Sequence, residues 1–143
     1  MIVSMEDLIE RDLILPQPVE RVWTALTDPR ELGSWFPDHV ELDVRPGGEG
    51  TFTFDMEGGP HRAAVLVEAV EPMTRFAFWW WSLGEDGDLG RTLVDFTLEP
   101  ADGGTRLHLV ESGFAKMPDG EDKRKGNEDG WTVQLGKLPA HLG

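Results

Sequence analysis

The feature that most constrains this chain is a switch of hydrophobic period at Val40. From there to Ser112, apolar and polar side chains alternate through six successive segments: VELDV (40–44), TFTFDM (51–56), HRAAVLVEAV (61–70), RFAFWWW (75–81), TLVDFTLEP (92–100) and TRLHLVES (105–112). A period of two sends successive side chains to opposite faces of a strand. Between the segments stand Pro46-Gly47-Gly48, Gly58-Gly59-Pro60, Glu71-Pro72, the GEDGDLG stretch (84–90) and Asp102-Gly103-Gly104, all turn-forming residues. The spacing predicts an antiparallel meander.

The flanks differ in kind. EDLIERDLIL (6–15) reads as a first strand stopped by Pro16 and Pro18. Val19, Val22, Trp23 and Leu26 then fall on one helical face, and Asp28-Pro29 ends that helix. Asp28 can cap a second short helix, with Pro29 in its first turn and Leu32, Trp35 and Phe36 on its apolar side, up to Pro37. After Phe114 comes a polar passage, KMPDGEDKRKGNED (116–129), with too few apolar residues for a strand. Trp131, Leu135, Leu138 and Leu142 follow at helical spacing, although Gly136 and Pro139 are expected to weaken the last turns.

The expected order is β-α-α-β-β-β-β-β-β-α, an α+β architecture in which a closing helix covers the apolar face of a seven-stranded sheet. With 143 residues and no internal repeat or linker, residues 1–143 read as one domain.

Three consecutive tryptophans sharpen the reading. In a strand, Trp80 shares a face with Phe76 and Phe78, and Trp79 and Trp81 take the other face. Phe52, Phe54 and Met56 alternate together on the companion strand; Val94, Phe96 and Leu98, and Leu107 and Leu109, extend the inward set. Glu111 continues the Thr105, Leu107, Leu109 alternation and would point inward near a strand end. Outward Trp79 and Trp81 mean either a partner contact or burial under the loop after Trp81.

Composition narrows the function. Acidic residues number 27 against 13 basic, and a formal charge of −14 repels phosphate backbones and anionic lipid, so neither nucleic acid nor membrane is expected as a partner. The longest apolar runs fall far short of the ~20 residues that span a bilayer, and MIVSMEDLIERD carries acids where a signal peptide carries bases, so a cytoplasmic protein is expected. There is no cysteine, which removes thiol nucleophiles and cysteine-based metal sites. Ser34 and Ser112 lack the nucleophile-elbow pattern, and RPGGEG lacks the lysine and hydroxyl of a phosphate loop. GEDGDLG carries Glu85, Asp86 and Asp88 without the ligand series of a calcium loop and reads as a solvated acidic hairpin. His39 and His108 have no partner at ligand spacing. No catalytic residue, metal or cofactor is expected.

These residues resemble the START-like helix-grip superfamily (the SRPBCC, Bet v-like proteins) and, within it, bacterial homologues of the activator of the heat-shock-protein ATPase. The resemblance rests on the order and spacing of PVERVWTALTDPRELGSWF, RPGGEGTF, VEAVEPMTRFAFWW, GTRLHLVESGF and GWTVQLGKLPAHL, nearly the whole chain. It implies a curved antiparallel sheet gripping the C-terminal helix around a central cavity that relatives use for apolar molecules. No single activity follows from it.

On that footing the cavity candidates are Phe52, Phe54, Met56, Phe76, Phe78, Trp80, Phe96, Leu107, Leu109, Glu111, Trp131 and Leu135. The alternative for the same residues is ordinary core. Three functions remain open: a binding protein for a small apolar, aromatic or lipid-like molecule; a cyclase or aromatase-like enzyme using Glu111 with His61 or Arg62; and a module that contacts a chaperone or other protein.

Overall fold

The structure, a computed structural model, describes residues 7–143. Strand β1 (Leu8–Leu15) leads into helices α1 (Val19–Thr27) and α2 (Pro29–Trp35). Strands β2 (His39–Leu42), β3 (Glu49–Met56), β4 (Gly59–Glu71) and β5 (Arg75–Ser82) follow, then a single helical turn α3 (Gly87–Gly90). Strands β6 (Thr92–Ala101) and β7 (Gly104–Ser112), a short 3-10 turn (Phe114–Lys116) and helix α4 (Gly120–Leu142) complete the chain. The strands form one antiparallel sheet in the order β1-β7-β6-β5-β4-β3-β2. This is the expected meander, with β1 closing against β7.

The local chemistry accounts for the elements. Asp28 accepts a hydrogen bond from the Arg30 N–H at 2.9 Å and caps α2, with Pro29 in the first turn. At the β6–β7 hairpin, Asp102 and Gly103 both take positive φ, 46° and 82°, the conformation of the tight turn that matches strand twist.

Two expectations need correction. The helix expected from the Trp131–Leu142 stripe begins earlier: the polar passage 120–130 is the first half of α4, which runs unbroken to Leu142. Pro139 and Gly136 lie inside the helix without ending it, because buried Leu138 and Leu142 and the contact of His141 with Glu31 hold the last turn in place. The acidic stretch after Trp81 is not a plain hairpin either, since it contains α3. Glu6, the start of the expected first strand, lies outside the described residues, as does the Asp88 side chain.

The core fills one end of the space between sheet and helices. Phe76, Phe78, Phe96, Leu107 and Leu109 are fully buried with Val22 and Leu26 of α1 and Leu138 of α4. Side chains therefore occupy the middle of the sheet where a central cavity was expected. The open space lies at the other end.

Candidate functional site

That space is a cleft of about 440 Å³ between the ends of β3, β4 and β5 and the first half of α4. Its apolar lining is Phe36, Phe54, Met56, Ala63, Trp80, Trp81, Phe114, Met117 and Trp131. Its deep end is nearly closed, with Phe36, Thr92 and Trp131 at 4%, 4% and 2% exposure, whereas Met56 at the mouth is 61% exposed. Phe36 organises the aromatic wall: its ring lies 4.9 Å from Trp131, 5.7 Å from Trp80 and 5.8 Å from Phe54, centroid to centroid. Trp80 and Trp131 are tilted 31° at 5.8 Å. Such contacts fix ring orientation as well as burying area.

The cleft exists because α4 has little to put into it. On the facing side the helix presents Gly126, Asn127, Gly130 and Gln134. A Cβ built on either glycine meets no atom within 4 Å. Further along, Leu135, Leu138 and Leu142 are buried and fill the corresponding space. At the mouth, Asp38, Asp55 and Glu85 face Lys123 and Lys137 of the helix, with His61 beside them.

Directly behind the deep wall sits Glu111, the one fully buried ionisable side chain among the described residues. Its Oε2 accepts from the Thr92 hydroxyl at 2.5 Å, the Trp80 indole N–H at 2.8 Å and the Asn127 amide at 3.0 Å. Its Oε1 accepts from the Trp131 indole N–H at 2.8 Å and from Asn127 at 3.2 Å. No cation is among these partners. Burial pushes the carboxyl above the usual glutamate range, and the hydrogen bonds from Thr92, Trp131, Trp80 and Asn127 oppose that rise.

The inward parity read for Trp80 matches the sheet, but its ring is only half-buried, as are Trp79 and Trp81. Trp79 donates to Glu68 at 2.8 Å on the outer face and carries the Arg91 guanidinium 4.3 Å from its ring centre. Trp81 packs against α3 so closely that a Cβ on Gly87 would come within 2.7 Å of the indole. Trp81 also lines the cleft, so packing against the loop is only part of its surroundings.

Of the twelve cavity candidates, Phe54, Met56, Trp80 and Trp131 line the cleft. Phe52, Phe76, Phe78, Phe96, Leu107, Leu109 and Leu135 are packed in the core, and Glu111 stands behind the wall. His61 lines the mouth, and Arg62 does not. Phe36, Trp81, Thr92, Phe114, Met117, Asn127 and Gln134 also line it and were not among the candidates. Two of them carried a usable signal: Thr92 shares the parity of Val94 and Phe96, and Asn127 precedes Trp131 by four residues, on one helical face.

A seven-stranded antiparallel sheet wrapped about a long C-terminal helix, with a cleft between them, defines a helix-grip protein. Residues 16–143 match the family model of the Activator of Hsp90 ATPase homolog 1-like proteins, and the chain belongs to that family. No curated protein matches the chain. Among solved structures, MLL2253 from Mesorhizobium loti is similar over 94% of this chain and 96% of its own, at 27% identity and a TM-score of 0.81. CV1439 from Chromobacterium violaceum is similar over 96% and 98%, at 26% identity and a TM-score of 0.79. DynU16, from the dynemicin biosynthetic locus, is 28% identical with a TM-score of 0.78 over 95% of this chain; the chain spans about half of DynU16, 47% of its length.

Proposed function

We propose that this is a cytoplasmic binding protein for a small apolar molecule, aromatic or lipid-like, held in the cleft between α4 and the β3–β5 strand ends. The observation that carries the reading is the cleft itself: about 440 Å³, with an aromatic wall of Phe36, Phe54, Trp80 and Trp131 and polar side chains that include Asp38, Asp55, His61, Lys123 and Lys137. Ligand sites of this size are lined mainly by apolar and aromatic side chains, with a small number of polar groups for orientation. Family membership and the helix-grip fold support it. No helix among the described residues is long and apolar enough to cross a membrane.

The test is a titration with flat aromatic and fatty molecules while backbone amide shifts are recorded, because six tryptophans blur bulk fluorescence. The expected result is saturable binding at micromolar to millimolar strength, with shifts at Phe54, Trp80, Gly130 and Trp131. A panel that leaves those amides unmoved contradicts the proposal. Mass spectrometry of molecules carried through native purification would identify the natural ligand.

A cyclase-like enzyme is the second reading, favoured by one observation, the buried Glu111 with its raised carboxyl pKa. A proton-moving group has to reach substrate, however, and donors from the cleft wall engage both oxygens of Glu111. Product formation from a polyketide-like substrate, lost in Glu111→Gln, would promote this reading. A chaperone or other protein partner is a third reading, suggested by the family, with half-buried Trp79 on the outer face as the place to look.

A further inference from the structure

The four side chains that donate to Glu111 all belong to the cleft wall: Trp80 from β5, Thr92 from β6, and Asn127 and Trp131 from α4. Each indole N–H, and the threonine hydroxyl, has one proton to donate; those of Trp131 and Thr92 go onto the carboxylate, and that of Trp80 is shared between the carboxylate at 2.8 Å and the Thr92 hydroxyl oxygen at 3.0 Å. We propose that Glu111 sets the ligand selectivity of the deep end of the cleft: by gathering these donors behind the wall, it leaves ring faces toward the ligand, so that end takes apolar rings and gives no advantage to a carbonyl or other acceptor seated against that wall. This rests on the ligand-binding reading and names the ligand class that follows from it.

A carboxylate suits this role and an amide does not. Its two oxygens accept from two indoles, a hydroxyl and an amide at distances of 2.5 to 3.2 Å. Glutamine at 111 would keep the shape but put an NH2 where one oxygen stood. Facing the Oε1 position, that NH2 opposes the Trp131 N–H; facing the Oε2 position, it opposes the Trp80 N–H, which then keeps only the Thr92 hydroxyl oxygen at 3.0 Å. Either way one indole donor loses its carboxylate acceptor, and at Trp131, 2% exposed, it has no other partner among the described residues. An unpartnered buried donor is costly, so a ligand oxygen that reaches it is favoured.

The experiment compares two neutral, nearly isosteric probes, 2-ethylnaphthalene and 2-acetylnaphthalene, by titration of the wild type and Glu111→Gln, with the indole N–H resonances of Trp80 and Trp131 followed throughout. In the wild type the ketone is expected to bind no tighter than the hydrocarbon, with both indole N–H signals held downfield by the carboxylate and responding alike to the two probes. In Glu111→Gln the ratio should move toward the ketone by about fivefold, the worth of one neutral hydrogen bond, and one indole N–H should shift upfield in the free protein and return downfield with the ketone alone. A wild type that prefers the ketone, with an indole N–H moving on its binding, overturns the proposal; so does a folded Glu111→Gln with an unchanged ratio. The wild-type arm decides by itself if the variant does not fold. Failure of both probes to bind removes the ligand-binding reading along with this one, whereas binding of both with the wrong preference removes this one alone.

Discussion

Two carboxylates fasten the C-terminal helix to the rest of the molecule, in opposite ways. Glu31 of α2 accepts from Arg21 at 2.6 Å and from His141, in the last turn of α4, at 2.9 Å. Partial burial raises its pKa, but hydrogen bonds and charge from Arg21 and His141 outweigh this and leave it below the usual value. Glu111 holds the middle of the same helix through neutral donors only, and burial leaves its carboxyl raised. The Glu31 end is where leucines of α4 fill the interior. The Glu111 end is where glycines leave it open. The comparison teaches that one helix can be both a core element and one side of a cleft: apolar packing and the contact of His141 with Glu31 anchor its last turns, which frees its earlier turns to be polar and glycine-rich.

The largest expected effect comes from removing the shared element. Deleting residues 127–143 takes away Trp131, Leu135, Leu138 and Leu142, all buried, and should abolish the cooperative melting transition; a sharp transition near the parent's would contradict the helix-grip packing. Next come the two ends of the inward face. Phe78→Ala empties a fully buried site and should cost ~3 to 5 kcal/mol in denaturant unfolding, while Met56→Ala at the mouth should cost under ~0.5 kcal/mol. Equal losses would mean that the mouth is part of the core.

The carboxylates themselves should separate with pH. The folded pKa of Glu31 lies below the ordinary 4.5, so its contribution is present above that value and fades as pH falls through the folded pKa. That of Glu111 lies above 4.5, so its contribution is complete below that value and is lost as pH rises through the folded pKa. Stability relative to Glu31→Gln should therefore rise with pH, and stability relative to Glu111→Gln should fall, each by at most about 1.4 kcal/mol per pH unit for one proton. Slopes of the same sign in paired unfolding series would erase the contrast. A small effect of opposite sign is expected for Gly130→Ala, whose methyl meets open space and should stabilise α4 by ~0.5 to 1 kcal/mol.

The strands and the helix pair were legible because their signals are local. Alternation in RFAFWWW or TLVDF, and Asp28-Pro29 at a helix start, need nothing from the rest of the chain. The first half of α4 was not legible, because GEDKRKGNEDG has no apolar stripe. Docking of Trp131 and the leucines carries it, helped by spaced ion pairs such as Arg124 with Glu121 at 3.1 Å and Glu128 at 3.7 Å. Parity placed Phe78 and Trp80 on one face, yet it could not say that Phe78 meets a filled interior and Trp80 an open one. That difference is made by Phe36, just after α2, and by the glycines of α4, which no strand pattern contains.

The most direct test of the central claim, that the open end of the helix-sheet space is a ligand site, is to close it from the helix. Gly130→Leu places a branched side chain into the cleft at a position where the backbone tolerates a Cβ, and Gly130→Ala is its matched control. Titration of both variants with 2-ethylnaphthalene, read by amide shifts, should give binding like the parent's in the alanine variant and at least tenfold weaker binding in the leucine variant, with both still melting cooperatively. Unchanged affinity in a folded Gly130→Leu would place the binding site elsewhere and contradict the account.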